Sequence, residues 1–194
     1  MTPKHVILPL LSLLPFLTLA CTSNTSNKMT TTNPSIPPST PQTTPPPKIQ
    51  AWMDRLDVAH SYDPATGFIV ANEIIPLHPI ITNAPPLDQA LNAANTNNQI
   101  VIAFATADRC APCQQYKKSA LNDPRVIAAL SNPRFIPTHV EVDKQPNLAD
   151  NHLPSRAIPM TYALHNNQTL DTLKGQRAPE ELLAWLSQLD AAHE

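Results

Sequence analysis

Hydrophobic positions along this chain switch between helical and alternating spacing, and the switches mark its elements. Ile49, Trp52, Met53 and Leu56 recur every three or four residues, which predicts a short amphipathic helix over 48–59. Asp63-Pro64-Ala65-Thr66-Gly67 reads as a turn, followed by a short strand over 68–71. Residues 73–86 carry four prolines and read as irregular, with Ile80 and Ile81 as a short edge strand. Leu87, Ala90, Leu91 and Ala94 then share one helical face, predicting a helix over 87–95. An apolar run within 99–106 is a buried-type strand, and a helix after it should reach about Leu121. Asp123 and Pro124 suit the N-cap and first position of a second helix that ends near Leu130. Over 135–142, Ile136, Thr138, Val140 and Val142 alternate onto one face of a strand. A short helix is predicted over 148–153. Residues 160–165 and 169–173 flank Asn166-Asn167-Gln168 as a β-hairpin. The last helix opens at Pro179 and Glu180, with Leu182, Leu183, Trp185, Leu186 and Leu189 on a wide apolar face.

Upstream of 48 the pattern is different. Lys4 and His5 precede an apolar run from Val6 to Ala20 that is broken by Pro9 and Pro15. About 15 residues are too few to span a bilayer comfortably, so 1–20 reads as a secretory signal. Its end, Leu17-Thr18-Leu19-Ala20-Cys21, resembles the lipobox of bacterial lipoproteins, with Thr18 where a large Leu is usual. That resemblance implies cleavage before Cys21 and lipidation of its thiol. Thr22 lacks the Asp associated with inner-membrane retention, which implies outer-membrane placement in the cell envelope with the domain in the periplasm. The other reading is ordinary secretion with Cys21 a free thiol. From Thr22 to Pro47 the composition is Thr, Ser, Asn, Gln and Pro, too polar to offset the entropy of ordering it. This predicts a disordered tether over 21–48, reaching on the order of 80 Å at ~3.1 Å per residue. The expected organisation is therefore signal (1–20), tether (21–48), N-terminal elaboration (49–86) and a domain over 87–194.

Composition narrows the function classes. Charged residues make up 14% of the 194, and the net charge of −2 leaves no basic patch for nucleic acid. With 2 glycines against 23 prolines, turns must be built mainly from Pro, Asn and Asp. The three cysteines are Cys21, Cys110 and Cys113, so none is left for a structural disulfide framework.

Chemistry concentrates in Thr106-Ala107-Asp108-Arg109-Cys110-Ala111-Pro112-Cys113, where a strand hands over to a helix. The unpaired N–H groups and positive dipole end of a helix start favour an anion, and a thiolate is one. Cys110 should thus be more acidic than a free thiol, whose pKa is about 8.5. Cys113 is placed to close a disulfide with it, and Pro112 fits the first turn, where a missing N–H costs nothing. Two other readings stand beside redox activity. A zinc site usually needs four Cys or His ligands, and there is no second Cys pair. A purely structural disulfide here would close a very short loop, which gains least in chain entropy.

This order of elements, with the Cys pair between strand and helix, resembles the thioredoxin fold from about Leu87 to Leu189. The implied fold class is α/β, a three-layer sandwich with a mixed central sheet. Arg156-Ala157-Ile158-Pro159-Met160-Thr161 looks like the loop that thioredoxins place opposite their disulfide, which implies a cis Ile158–Pro159 bond and an Ile158 backbone free to pair with an extended substrate strand. Asp143 and Gly175 match an aspartate at a strand end and a glycine near the active face. Phe104 to Cys110 is similar to the thioredoxin-like domains of periplasmic disulfide reductases, which usually read Ala-Asp-Trp-Cys. Arg109 stands in place of that tryptophan, a cation beside the thiolate that Asp108 partly offsets. The buried acid of the family falls nearest to Ala103, which leaves Cys113 without its usual proton acceptor.

The resemblance implies a thiol:disulfide oxidoreductase that needs no organic cofactor and no metal. Cys110 would be the nucleophile and Cys113 the resolving thiol, with Arg109, Pro112, Ile158 and Pro159 supporting the site. Its partners would be protein thiols and disulfides, a redox partner protein, and the membrane through lipidated Cys21. The alternative is a binding protein on the same fold, delivering metal or capturing a partner at Cys110 and Cys113. Copper delivery would need a histidine nearby, and His139, His152 and His165 read as surface or packing residues.

Overall fold

The computed structural model describes residues 44–193. The predicted signal segment, Cys21 and most of the predicted tether lie outside the described residues. The first helix, α1 (Pro47–Met53), begins inside the predicted tether and ends six residues before the predicted Ala59. Beyond it Leu56 and Val58 are buried from an extended arm, so the helical spacing of the apolar residues stops at Met53.

That arm leads into a β-hairpin, β1 (His60–Asp63) paired antiparallel with β2 (Phe68–Ala71). The turn forms for the reason read from its residues. Asp63 accepts hydrogen bonds from the Ala65 N–H at 2.9 Å and the Thr66 hydroxyl at 2.6 Å, and Gly67 takes a φ of 74°. The strand β1 was not foreseen. The edge strand expected at Ile80 and Ile81 is instead a short helix, α2 (Pro79–Thr82). His78 caps it by accepting the Ile80 N–H, and Pro79 at its first position needs no donor. Ile81 is buried from this helix against the second of the two cores described below.

The central sheet runs β4-β3-β5-β6. In it β3 (Ile100–Thr106) is parallel to β4 (Phe135–Glu141) and antiparallel to β5 (Met160–His165), which pairs antiparallel with β6 (Gln168–Lys174). The mixed sheet follows from the connections. A helical crossover joins β3 to β4, whereas Asn166 and Asn167, both at positive φ, close the tight β5–β6 hairpin.

Helices cover both faces, giving the expected three layers. Every β3 residue is buried, and alternate residues serve opposite cores. Val101, Ala103 and Ala105 pack with α3 (Leu87–Asn97) and α6 (Pro146–His152). Ile100, Ile102 and Phe104 pack with α4 (Ala111–Tyr116) and the π-helical turn Lys117–Leu121 that prolongs it, and with α5 (Pro124–Leu130) and α7 (Pro179–Ala192). Asp123 caps α5 as read from the sequence, accepting the Arg125 N–H at 2.8 Å. On α7, Leu182, Trp185, Leu186 and Leu189 are buried. The strand face of Ile136, Val140 and Val142 meets the α3 side. No described helix is long and apolar enough to cross a membrane.

Candidate active site

Strand β3 ends at Thr106, and the chain turns through Ala107 to Arg109 before α4 begins. Cys110 is the N-cap, with extended backbone (φ −89°, ψ 107°), and Pro112 lies in the first turn. Cys110 and Cys113 are joined in a disulfide, their Cα atoms 5.1 Å apart. The Cys113 N–H also points at the Cys110 sulfur, 3.2 Å away. The same N–H donates to the Cys110 carbonyl at 3.0 Å, so at the helix start it is shared between that oxygen and the sulfur. Cys113 is fully buried and Cys110 is 8% exposed. The order of exposure is the expected one, but Cys110 is far more covered than its place at a helix start implied.

The cover is the N-terminal elaboration. Val70 of β2 bridges to Cys110, and the Ala71 N–H donates to the Arg109 carbonyl at 2.8 Å. Two glutamines that follow Cys113 hold this layer down. Buried Gln114 accepts the Ile75 N–H at 2.8 Å and donates to the carbonyls of Ala107 and Asp108. Gln115 accepts the Asp57 N–H at 2.7 Å, and Lys118 donates to the Asp57 carbonyl. Leu56, Val58 and Ile69 pack on Ala111 beneath. Sequence reasoning missed this seat. Its available signal was a pair of glutamines on a helix that the fold had to bury.

The charges around the pair are compensated. Arg109 reaches Asp143 through two hydrogen bonds, at 2.7 and 3.2 Å, and its guanidinium lies over the Phe68 ring, 5.7 Å from the centroid. Its counter-charge is therefore Asp143 and not the Asp108 expected to offset it. Asp108 lies between Lys144 at 2.5 Å and buried Lys117 at 3.5 Å. The Lys144 hydrogen bond holds the Asp108 carboxyl below its ordinary range. Ala103 packs in the same apolar cluster as both cysteines, so this position supplies no proton acceptor to Cys113.

Across from the disulfide, Ile158–Pro159 is cis. The loop is tied at both ends, by Tyr162 donating to the Ser155 carbonyl at 3.0 Å and by the Gly175 N–H donating to the Pro159 carbonyl at 2.9 Å. Gly175, with φ 79°, takes a conformation that disfavours a side chain. The structure thus brings Arg109, Cys110, Pro112 and Ile158 to one cleft, and Pro159 stands beside it. The histidines lie elsewhere. His139 bonds Thr106 at 2.7 Å and His165 bonds the Gln99 carbonyl at 3.0 Å. His152 sits at the end of α6.

A paired-cysteine helix start facing a cis-proline loop on a mixed sheet defines a dithiol–disulfide exchange protein. The thioredoxin-like domain profile matches residues 87–190, just over half of the chain, and the chain belongs to that family. It is a thiol:disulfide oxidoreductase. Among solved structures it is similar to a thioredoxin from Thermus thermophilus, with 28% identity over 54% of this chain and 84% of that one, TM-score 0.46. A wild-type poplar thioredoxin h is 28% identical over 53% of this chain and 87% of that one, TM-score 0.42. A disulphide isomerase from Xylella fastidiosa Temecula1 is 17% identical over 54% and 88%, TM-score 0.45. No curated protein matches the chain.

Proposed function

We propose that the chain is a membrane-tethered thiol:disulfide oxidoreductase acting on protein disulfides outside the cytoplasm, with Cys110 attacking and Cys113 resolving. The observation that carries the assignment of roles is the Cys113 N–H aimed at the Cys110 sulfur in a cleft where Cys113 itself is fully buried. In the reducing direction the Cys110 thiolate attacks one sulfur of a client disulfide. The client S–S bond breaks, a mixed disulfide forms, and the departing client thiolate takes a proton. Cys113, losing its proton, then attacks the Cys110 sulfur. The intramolecular disulfide forms and the second client thiol leaves, so two electrons have passed to the client. A dithiol partner protein restores the reduced pair by the same exchange run backwards. The tether rests on Ala20-Cys21 and the polar, proline-rich stretch after it.

One set of variants tests both parts. Cys113→Ala leaves attack intact and removes resolution, so it should accumulate mixed disulfides with client proteins, recovered in the membrane fraction. Cys110→Ala should trap few or none. Cys21→Ser combined with Cys113→Ala should lose the membrane association and keep the trapping chemistry. Trapping by Cys110→Ala alone would reverse the assigned roles, and wild-type protein found wholly in the soluble fraction would remove the anchor.

A further inference from the structure

Two of the most exposed large apolar side chains in the described residues, Phe68 at 57% and Trp52 at 43%, stand on the N-terminal elaboration and line the cleft that contains Cys110. This cleft, about 530 Å³, is lined by Ile49, Trp52 and Phe68 from the elaboration, by Arg156, Ala157 and Ile158 from the cis-proline loop, and by Arg109, Cys110 and Pro112. Its size suits one or two side chains and its lining is mostly apolar. The Phe68 ring is propped in place, because Arg109 lies over it and is itself fixed by Asp143.

Backbone pairing decides how a chain can enter. On the elaboration side β2 already pairs with Arg109 and Cys110 at Val70 and Ala71. On the opposite side neither the N–H nor the C=O of Ile158 is engaged among the described residues. A polypeptide presenting a disulfide to Cys110 can therefore pair its backbone along Ile158. In an extended segment the residues two positions from its cysteine share the cysteine's face, so they enter the same cleft toward Phe68 and Trp52. We infer that Phe68 and Trp52 form a specificity pocket selecting client proteins that carry a large apolar or aromatic residue two positions from the reactive cysteine in an extended segment. Resting on the oxidoreductase reading above, this gives the elaboration a role in choosing the client as well as covering the disulfide. The occupant is fixed by continuity with the reacting sulfur, because Cys110 itself lines this cleft.

The test uses the full reduced chain, two short peptides cyclised by a disulfide, and glutathione disulfide. The peptides differ in one residue two positions from the cysteine, Phe in one and Ser in the other. The readout is the ratio of the second-order rate constants with which the Phe peptide and the Ser peptide oxidise the reduced pair in a single turnover, so that any general change in activity cancels. Wild type should favour the Phe peptide by about tenfold. Phe68→Ala and Trp52→Ala should each reduce the ratio several-fold, and the double variant should bring it close to one. Leu170→Ala, an exposed apolar residue on β6 outside the cleft, should leave it unchanged. Both tested side chains are substantially exposed, so the variants should fold. A wild-type ratio near one, or a ratio that survives the double variant, overturns the specificity pocket. Failure of wild type to reduce any of the three substrates, glutathione disulfide included, overturns the oxidoreductase reading beneath it.

Discussion

The Ala71 amide donates a 2.8 Å hydrogen bond to the carbonyl of Arg109, joining the end of β2 to the residue before Cys110. A two-stranded hairpin is marginal in water on its own, so β1 and β2 depend on this docking. Gln114 is its buried anchor, with its side-chain amide shared between Ile75 on the elaboration and Ala107 and Asp108 on the domain. Gln114→Ala strands a donor and leaves a void, and should cost about 2–4 kcal/mol. Urea unfolding should show the loss as a lower midpoint. Limited proteolysis should place new cleavage between residues 54 and 75 before any cleavage in the sheet. A stability change below about 0.5 kcal/mol would show that the glutamine is not the anchor.

The Arg109–Asp143 pair should matter more for reactivity than for stability. Its side chains are 51% and 42% exposed, and exposed pairs contribute at most about 1 kcal/mol. Asp143→Asn leaves the guanidinium uncompensated beside Cys110, which favours the thiolate. The expected outcome is a few-fold faster alkylation of reduced Cys110 at mildly acidic pH, with thermal stability close to wild type. Raising the salt concentration should narrow the difference.

Much of the domain was legible because its signals are local. Asp123-Pro124 caps a helix, Asn166-Asn167 closes a hairpin, and alternating residues of β3 feed two cores. Ile158–Pro159 was placed by a motif resemblance, and the cysteines by their position between strand and helix. The elaboration was not legible in the same way. Its seat consists of backbone-to-side-chain bonds such as Asp57 to Gln115 and Ile75 to Gln114, which span 58 and 39 residues and leave no period in the sequence. Arg109 was misjudged for a similar reason, since its partner Asp143 lies 34 residues away on the far side of a crossover. At Ile80-Ile81, β-branched residues pointed to a strand, but His78-Pro79 starts a helix that buries Ile81.

The polar cluster under the turn should leave a mark on the acid limb of stability. His139 bonds Thr106 and sits near Lys117, Lys144 and Asp108, and burial, helped by Lys117, pushes its imidazole down to about 4. Above its unfolded value of 6.5 both states are neutral and the contribution is fully present. As pH falls from there through about 4, the unfolded chain binds a proton that the folded one refuses, so stability is lost. The loss is on the order of 3 kcal/mol. Glu141 opposes it, because burial raises its carboxyl and its contribution is lost as pH rises through the folded value. Asp108, held low, changes stability only below its unfolded 3.8. Urea midpoints measured between neutral and mildly acidic pH should fall in wild type, flatten in His139→Gln and steepen in Glu141→Gln.

The two sulfurs should differ sharply when the protein is reduced. Cys113 has no exposed surface and packs among Ala103, Ala105 and Met160, an environment that disfavours a thiolate and excludes reagents. Cys110 keeps a small exposed edge in the cleft and receives the Cys113 N–H, a donor that strengthens as the sulfur gains charge. Iodoacetamide at mildly acidic pH should therefore modify Cys110 at least about tenfold faster than Cys113, as read by mass spectrometry of the two alkylation states. Because β2 bridges onto Cys110, a polymer-bearing maleimide should lag behind a simple N-alkyl maleimide at the same sulfur. Gln114→Ala, which loosens that cover, should narrow the lag without changing which sulfur reacts first. Preferential labelling of Cys113 would place the attacking thiol inside the helix and exchange the roles assigned to the pair.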